Sequence, residues 1–115
     1  MLLVVLFLWA GLAGAQTWPS KPVRWVVPTG PGSAVDVLAR HYAQKMSENW
    51  KQQVVVDNRT GANGIIGMEF AARAPADGYT LLMSAATTLA AAPSMFKNLP
   101  YNPRNDLVPV VLIAA

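Results

Sequence analysis

The chain has 115 residues, room for one domain of ordinary size, and its 53% hydrophobic and 13% charged content excludes a disordered or collagen-like polymer. Nine Lys plus Arg stand against six Asp plus Glu, a diffuse +3 with no basic run, which argues against a nucleic-acid partner. With no cysteine and a single histidine, His41, there is no thiol nucleophile, no disulfide framework and no multi-histidine metal site.

Residues 1–15 (MLLVVLFLWAGLAGA) carry no charge and are almost wholly apolar. Spanning a bilayer takes about 20 residues, so a run of this length reads as a signal-peptide helix. Ala13-Gly14-Ala15 offers a small-x-small cleavage site, which places the cut before Gln16 and the first lobe in 16–115. No Lys or Arg precedes the apolar run, and a buried helix or a short membrane anchor is the competing reading.

Trp18-Pro19-Ser20-Lys21-Pro22 is a stiff lead-in to a β-rich stretch over 23–27, which is apolar except for Arg24. Such a run, bounded by Pro28 and a Gly/Pro turn, suits a strand covered on both faces. A helix is expected over 33–50, with Val35, Leu38, Ala39, Tyr42, Met46 and Trp50 on one apolar face. Ser33 followed by Asp36 is its start signal, the hydroxyl capping a free N–H. Val54-Val55-Val56 forms a second strand, stopped by Asp57-Asn58. A shorter helix over 65–74 ends at Pro75, and Asp77-Gly78 turns into a third strand over 80–83. An Ala-rich helix interrupted by Pro93 follows, then a fourth strand over 108–113. Strands alternating with helices imply an α/β fold, a doubly wound and mostly parallel sheet. The chain stops directly on that apolar fourth strand, which suggests the first part of a longer protein.

In open α/β sheets ligands bind beyond the carboxyl ends of the strands, where successive connections leave toward opposite faces. With strand order 2-1-3 the switch point lies between the first and third strands, and the loops meeting there are 29–33 and 84–88. Both suit a small anion: Gly30 and Gly32 let the backbone approach, while Ser33, Ser84, Thr87 and Thr88 bring hydroxyls. Neither loop carries a charge, so selection would come from amides, hydroxyls and bridging water. One helix N-terminus contributes about 0.3–2 kcal/mol, whereas a micromolar site needs about 8 kcal/mol. A second wall must therefore close over the ligand, and the sequence offers no candidate for it.

Several spaced motifs carry a resemblance. Trp18-Pro19-Ser20-Lys21-Pro22-Val23 is followed by Val26-Val27-Pro28 and Pro31-Gly32-Ser33-Ala34-Val35-Asp36. Val55-Val56-Asp57-Asn58-Arg59-Thr60-Gly61-Ala62-Asn63-Gly64 and Ala76-Asp77-Gly78-Tyr79-Thr80-Leu81-Leu82 come next. Leu99-Pro100-Tyr101-Asn102-Pro103 and Asp106-Leu107-Val108-Pro109-Val110 complete the series. In this order they resemble the N-terminal portion of the extracytoplasmic solute receptors of tripartite tricarboxylate transporters, the TctC or Bug family. The resemblance implies the N-terminal lobe of a two-lobed, Venus-flytrap receptor of the periplasmic-binding-protein type, without catalysis or cofactor and without metal. It further implies a monomer that hands a small carboxylate, such as a di- or tricarboxylate, to the transporter's membrane components. By motif, the ligand positions are Thr29, Gly30, Gly32 and Ser33, then Ser84, Ala85, Thr87 and Thr88. Thr29 stands where many relatives carry an aromatic, Ser33 replaces the second glycine of the usual pair, and Ala92-Pro93 replaces a frequent Asn-Pro.

Two other functions compete. Gly61, Gly64 and Gly67 approximate a dinucleotide loop, which would make the protein a nucleotide-dependent α/β enzyme. The expected acid at the end of the following strand is missing, since that strand ends at Ser84, and loop geometry with close helix packing explains the glycines. A non-functional truncated remnant, or a tethered interaction module, is the other. Asn58-Arg59 reads as a structural turn, Asp36 as a stabiliser of its own helix start, and His41 as a surface helix residue. Trp18, Trp25, Tyr42 and Trp50 read as packing groups; Tyr79 and Tyr101 could line a cleft but read first as strand-edge and loop packing.

Overall fold

The computed structural model describes residues 15–113, so the leader expected over 1–15 falls, but for Ala15, outside the described residues. Three parallel strands form the sheet: β1 (Val23–Val27) in the centre, β2 (Val54–Asn58) on one side and β3 (Thr80–Leu82) on the other. Val23 sits opposite Val54 and Val27 opposite Asn58, while Arg24 pairs with Thr80 and Val26 with Leu82. The order β2-β1-β3 is the one that places a switch point between β1 and β3.

Helix α1 (Ala34–Trp50) crosses from β1 to β2, and α2 (Ile65–Arg73) leads from β2 back past β1 toward β3. The direction of travel reverses between them, so right-handed crossovers put the two helices on opposite faces. Alternation along β1 supplies both faces. Val23, Trp25 and Val27 join Ala39 and Ala43 of α1, Val54 and Met83 in one core, whereas α2 buries Met68 completely. Tyr101 is buried beside Met68 and donates its hydroxyl to the Met68 sulfur at 2.8 Å; burial pushes that hydroxyl's pKa up. The Trp25 ring fills the α1 side of the core at the cost of a buried, unpartnered Nε1–H.

The α1 side is fixed locally as well. Ser33 caps the helix, accepting the Asp36 N–H at 3.2 Å. At the far end the Ser47 hydroxyl donates to the Ala43 carbonyl at 2.7 Å and accepts the Val54 N–H at 2.9 Å, tying α1 to the start of β2. Trp18 stacks edge-on against Trp50 with ring centroids 4.8 Å apart, and Ser20 binds the Tyr79 hydroxyl, so the lead-in closes that end of the core.

Four expectations are corrected. The apolar stripe of α1 is narrower than its spacing implies: Leu38 and Tyr42 are exposed, because a three-stranded sheet covers only the arc centred on Ala39 and Ala43. Helix α3 (Ala86–Met95) runs through Pro93 instead of stopping there. Proline in the last turn forfeits one backbone bond, and Phe96 N still reaches the Ala92 carbonyl at 3.0 Å. The second strand continues through Asp57 to Asn58, where β1 offers a paired partner in Val27. Residues 108–113 form no strand. Val108, Val110, Val111 and Leu112 are 69–86% exposed, because β-branched side chains alone make no ladder and Pro109 removes one of the donors a ladder needs.

Candidate functional site

The carboxyl ends of β1 and β2 lie side by side, and a polar network binds the two loops leaving them. Asn58, the last residue of β2, donates from Nδ2 to the Thr29 carbonyl at 3.0 Å and to Asp36 Oδ1 at 2.9 Å. Its Oδ1 accepts from Arg40 Nη2 at 2.9 Å. Asp36 is only 2% exposed and also accepts from the Gly32 N–H at 2.8 Å and from Arg40 Nε at 3.1 Å. The Thr29 and Ser33 hydroxyls pair at 2.7 Å. Loop 29–33 is therefore held at both ends by groups from α1 and β2. Buried carboxylates survive only when so paired.

The Arg40 guanidinium, the Gly32 amide and the Asn58 amide together hold the Asp36 carboxyl at about 2, well below its ordinary 3.8. A carboxyl lowered on folding stabilises the native state fully above its unfolded pKa, and that contribution disappears as pH falls through the folded value. Thermal melts between pH 5 and pH 2 are thus expected to drop, and the Asp36→Asn variant should lack the part of the drop lying between about pH 4 and pH 2.

Beyond the strand ends lies an open hollow of about 630 Å³. Pro28, Thr29 and Gly30 form one wall, and Ser84, Ala85, Thr87 and Thr88 with Ala91, Ala92 and Met95 of α3 and Phe96 just beyond it form another. The two loops expected at the switch point meet here. Six of the eight sequence-derived positions (Thr29, Gly30, Ser84, Ala85, Thr87 and Thr88) line the hollow. Gly32 and Ser33 do not line it: the Gly32 N–H is taken up by Asp36, and the Ser33 hydroxyl by Thr29 and the Asp36 amide.

A third wall escaped the sequence reading: Thr60, Gly61, Asn63 and Gly64 also face the hollow. This segment curls through left-handed backbone at Ala62 (φ 47°) and Asn63 (φ 55°) and enters α2 at Gly64 (φ 88°). A signal for it existed, because in a parallel sheet the loop after β2 must emerge beside the loop after β1. Gly67 serves packing: a Cβ there would stand 2.6 Å from the Arg59 carbonyl oxygen and 2.9 Å from Pro28 Cα. The near-dinucleotide glycine pattern is thus explained by a tight turn and a close helix approach. Among the described residues, no charged side chain lines the hollow and no three metal-ligating side chains cluster. Hydroxyls, backbone amides and the Asn63 side-chain amide are the polar chemistry it offers. His41 is exposed, its ring edge-on to Tyr42, and the Ser33 hydroxyl is engaged by Thr29 and the Asp36 amide.

Among curated sequences, the chain is 50% identical over 107 residues to a UPF0065 protein of Bordetella bronchiseptica, covering 93% of this chain and 32% of the relative. It is 43% identical over 108 residues to protein BugT of Bordetella pertussis, covering 90% and 33%. The chain spans about a third of the length of these relatives. Among solved structures, the periplasmic binding protein BugD superposes with a TM-score of 0.72 at 40% identity, over 77% of this chain and 29% of BugD. MatC of Rhodopseudomonas palustris, solved with bound malate, gives 0.72 at 32% identity over 77% and 30%. An R. palustris protein solved with adipate gives 0.72 at 37% over 76% and 29%. The sequence model of the tripartite tricarboxylate transporter family receptor, TctC, matches residues 38–115. Paired loops at a parallel switch point and a family match across most of the chain agree: this protein belongs to the TctC receptor family.

Proposed function

We propose that residues 16–115 form the first part of a periplasmic solute-binding receptor that captures a small carboxylate and delivers it, without chemical change, to the membrane components of a tripartite transporter. Residues 1–15 would direct export, and a second lobe would close over the ligand. The observation that carries this reading is the meeting of two uncharged, donor-rich loops at the β1/β3 switch point, around one hollow. Thr29, Gly30, Ser84, Ala85, Thr87 and Thr88 are the proposed contacts; Gly32 and Ser33 shape the loop that presents them. Neutral donors suit a carboxylate that must later be released, because each bond to an ion is worth about 1.5–3 kcal/mol without an opposing fixed charge. Adipate and malate in two structural neighbours support a carboxylate as the ligand class.

Titration of the ¹⁵N-labelled chain with adipate and with malate tests the assignment. The Gly30 and Thr88 amide resonances should move saturably with at least one acid and stay still with nicotinamide or flavin nucleotides. Thr88→Ala should weaken the acid at least about ten-fold, the loss of one hydrogen bond to an ion of about 1.5 kcal/mol or more. Saturable nucleotide binding without a response to either acid would overturn the receptor assignment.

A further inference from the structure

The hollow is polar on both flanks of β1. Ser84, Thr87 and Thr88 lie on the β3 side, Thr60 and Asn63 follow β2, and Thr29 and Gly30 stand between them. Neighbouring strands lie about 4.8 Å apart, so the strands carrying the two flanks are about 10 Å apart. A hydrogen bond of about 3 Å at each flank leaves about 4 Å between the ligand's polar ends, the span of a four-carbon chain. The β2 flank is also electrically neutral, although two arginines stand near it. Arg59 directly precedes Thr60, but its Nε donates to Asp57 at 2.9 Å and its guanidinium lies over the Phe70 ring at 3.6 Å. Arg40 is bound to Asp36 and Asn58. Neither arginine lines the hollow, and each is matched by a carboxylate. The β2 flank therefore presents the Asn63 side-chain amide and the Thr60 hydroxyl, and both of these donate and accept.

We propose that the site selects carboxylic acids whose far end is a neutral hydrogen-bonding group, a carboxamide above all, over dicarboxylates of equal length, and that Asn63 makes the selection. The carboxylate sits among Thr29, Gly30 and Thr88, and the far end reaches across β1 to Thr60 and Asn63. This rests on the receptor reading above and adds the ligand's second half. A carboxamide meets the Asn63 amide as its complement, with an N–H donated in each direction. A carboxylate only accepts, and it leaves the Asn63 Oδ1 without a donor. A second carboxylate also brings two like charges together in a hollow that has no cation to balance either. An alkyl end would make neither bond.

The test uses the full chain, ¹⁵N-labelled in its backbone and Asn side-chain amides, titrated at neutral pH with butanoate, succinate and succinamate. All three have four carbons and differ at the far end, which is a methyl, a carboxylate or a carboxamide. Succinamate is expected to bind at least about five-fold tighter than either of the others. The Asn63 side-chain amide should move with succinamate and stay still with butanoate, while the Gly30 and Thr88 amides move with both. Asn63→Gly keeps the left-handed backbone (φ 55°) without the amide, and it should bring succinamate down to the butanoate level. Thr60→Val, nearly isosteric and at an exposed position, should remove part of the same gain. If succinate binds as tightly as succinamate while Gly30 and Thr88 respond, the neutral-end preference is wrong and the receptor reading stands. A succinamate advantage that survives Asn63→Gly would also overturn the proposal, because the far end would then be held elsewhere. If no acid moves either backbone amide, the receptor reading falls and the proposal with it.

Discussion

Asn58→Ala is expected to lower the unfolding free energy by about 2–3 kcal/mol and to weaken carboxylate binding about ten-fold. Asn58 makes three side-chain hydrogen bonds, to the Thr29 carbonyl, Asp36 and Arg40, each worth about 1 kcal/mol net. Removing them leaves the Thr29 carbonyl and one side of a buried carboxylate without their donor, so the cost is not offset by new solvation. The ligand effect follows from position. Loop 29–33 owes its placement to Asn58 and Asp36, and Thr29 and Gly30 line the hollow. Urea denaturation reads the first effect, and carboxylate titration followed at the Gly30 amide reads the second. Asn58→Asp keeps the shape but sets a second carboxylate against Asp36, so its destabilisation should shrink as acid protonates the pair. An alanine variant as stable as the parent would mean that the loop is positioned by other groups.

Gly67→Ala should also destabilise the fold, against the usual direction for a helical glycine. Alanine ordinarily gains about 1 kcal/mol within a helix. Here its Cβ would lie 2.6 Å from the Arg59 carbonyl oxygen and 2.9 Å from Pro28 Cα, both backbone atoms. Because both atoms are backbone, overpacking falls in the upper part of its usual range, about 2–3 kcal/mol, and outweighs the propensity gain for a net loss of about 1–2 kcal/mol, and Gly67→Val should lose about 3 kcal/mol or more. The clash pushes α2 away from the end of β1, and loop 60–64 moves with it. Ligand response at Gly30 should weaken in step with stability. A Gly67→Ala variant more stable than the parent would show that α2 shifts freely, and the third wall would then not be fixed.

The alternation of strands and helices was legible because it is written locally. A valine run bounded by Pro28, or Ser33 three residues before Asp36, carries its meaning within a few positions. The hollow was legible too, since the switch-point rule turns strand order into a location. Whatever depends on register was not. Asp36 read as a helix-start residue, and it is one. Its larger role needs Asn58, which reaches it only because β2 pairs through to Val27. Thr60 and Asn63 were legible only through strand order, which sets the loop after β2 beside the loop after β1; the left-handed backbone at Ala62 that curls their segment into the cavity is one that alanine does not announce as glycine does. The expected strand over 108–113 failed for a related reason. Its valines state a preference, but a strand exists only through a neighbour, and a preference cannot name one.

The placement of the first strand in the middle of the sheet governs how the molecule must assemble. Arg24 waits for Thr80, and everything between has to be looped out before a single ladder bond rewards that closure. The β1–β2 half, bridged by one helix, is the nearer encounter and the natural nucleus, whereas docking of β3 is a distant, late event. The hollow beside β3 therefore comes into being last, and the region proposed to receive the ligand is also the one whose kinetics the rest of the chain dictates.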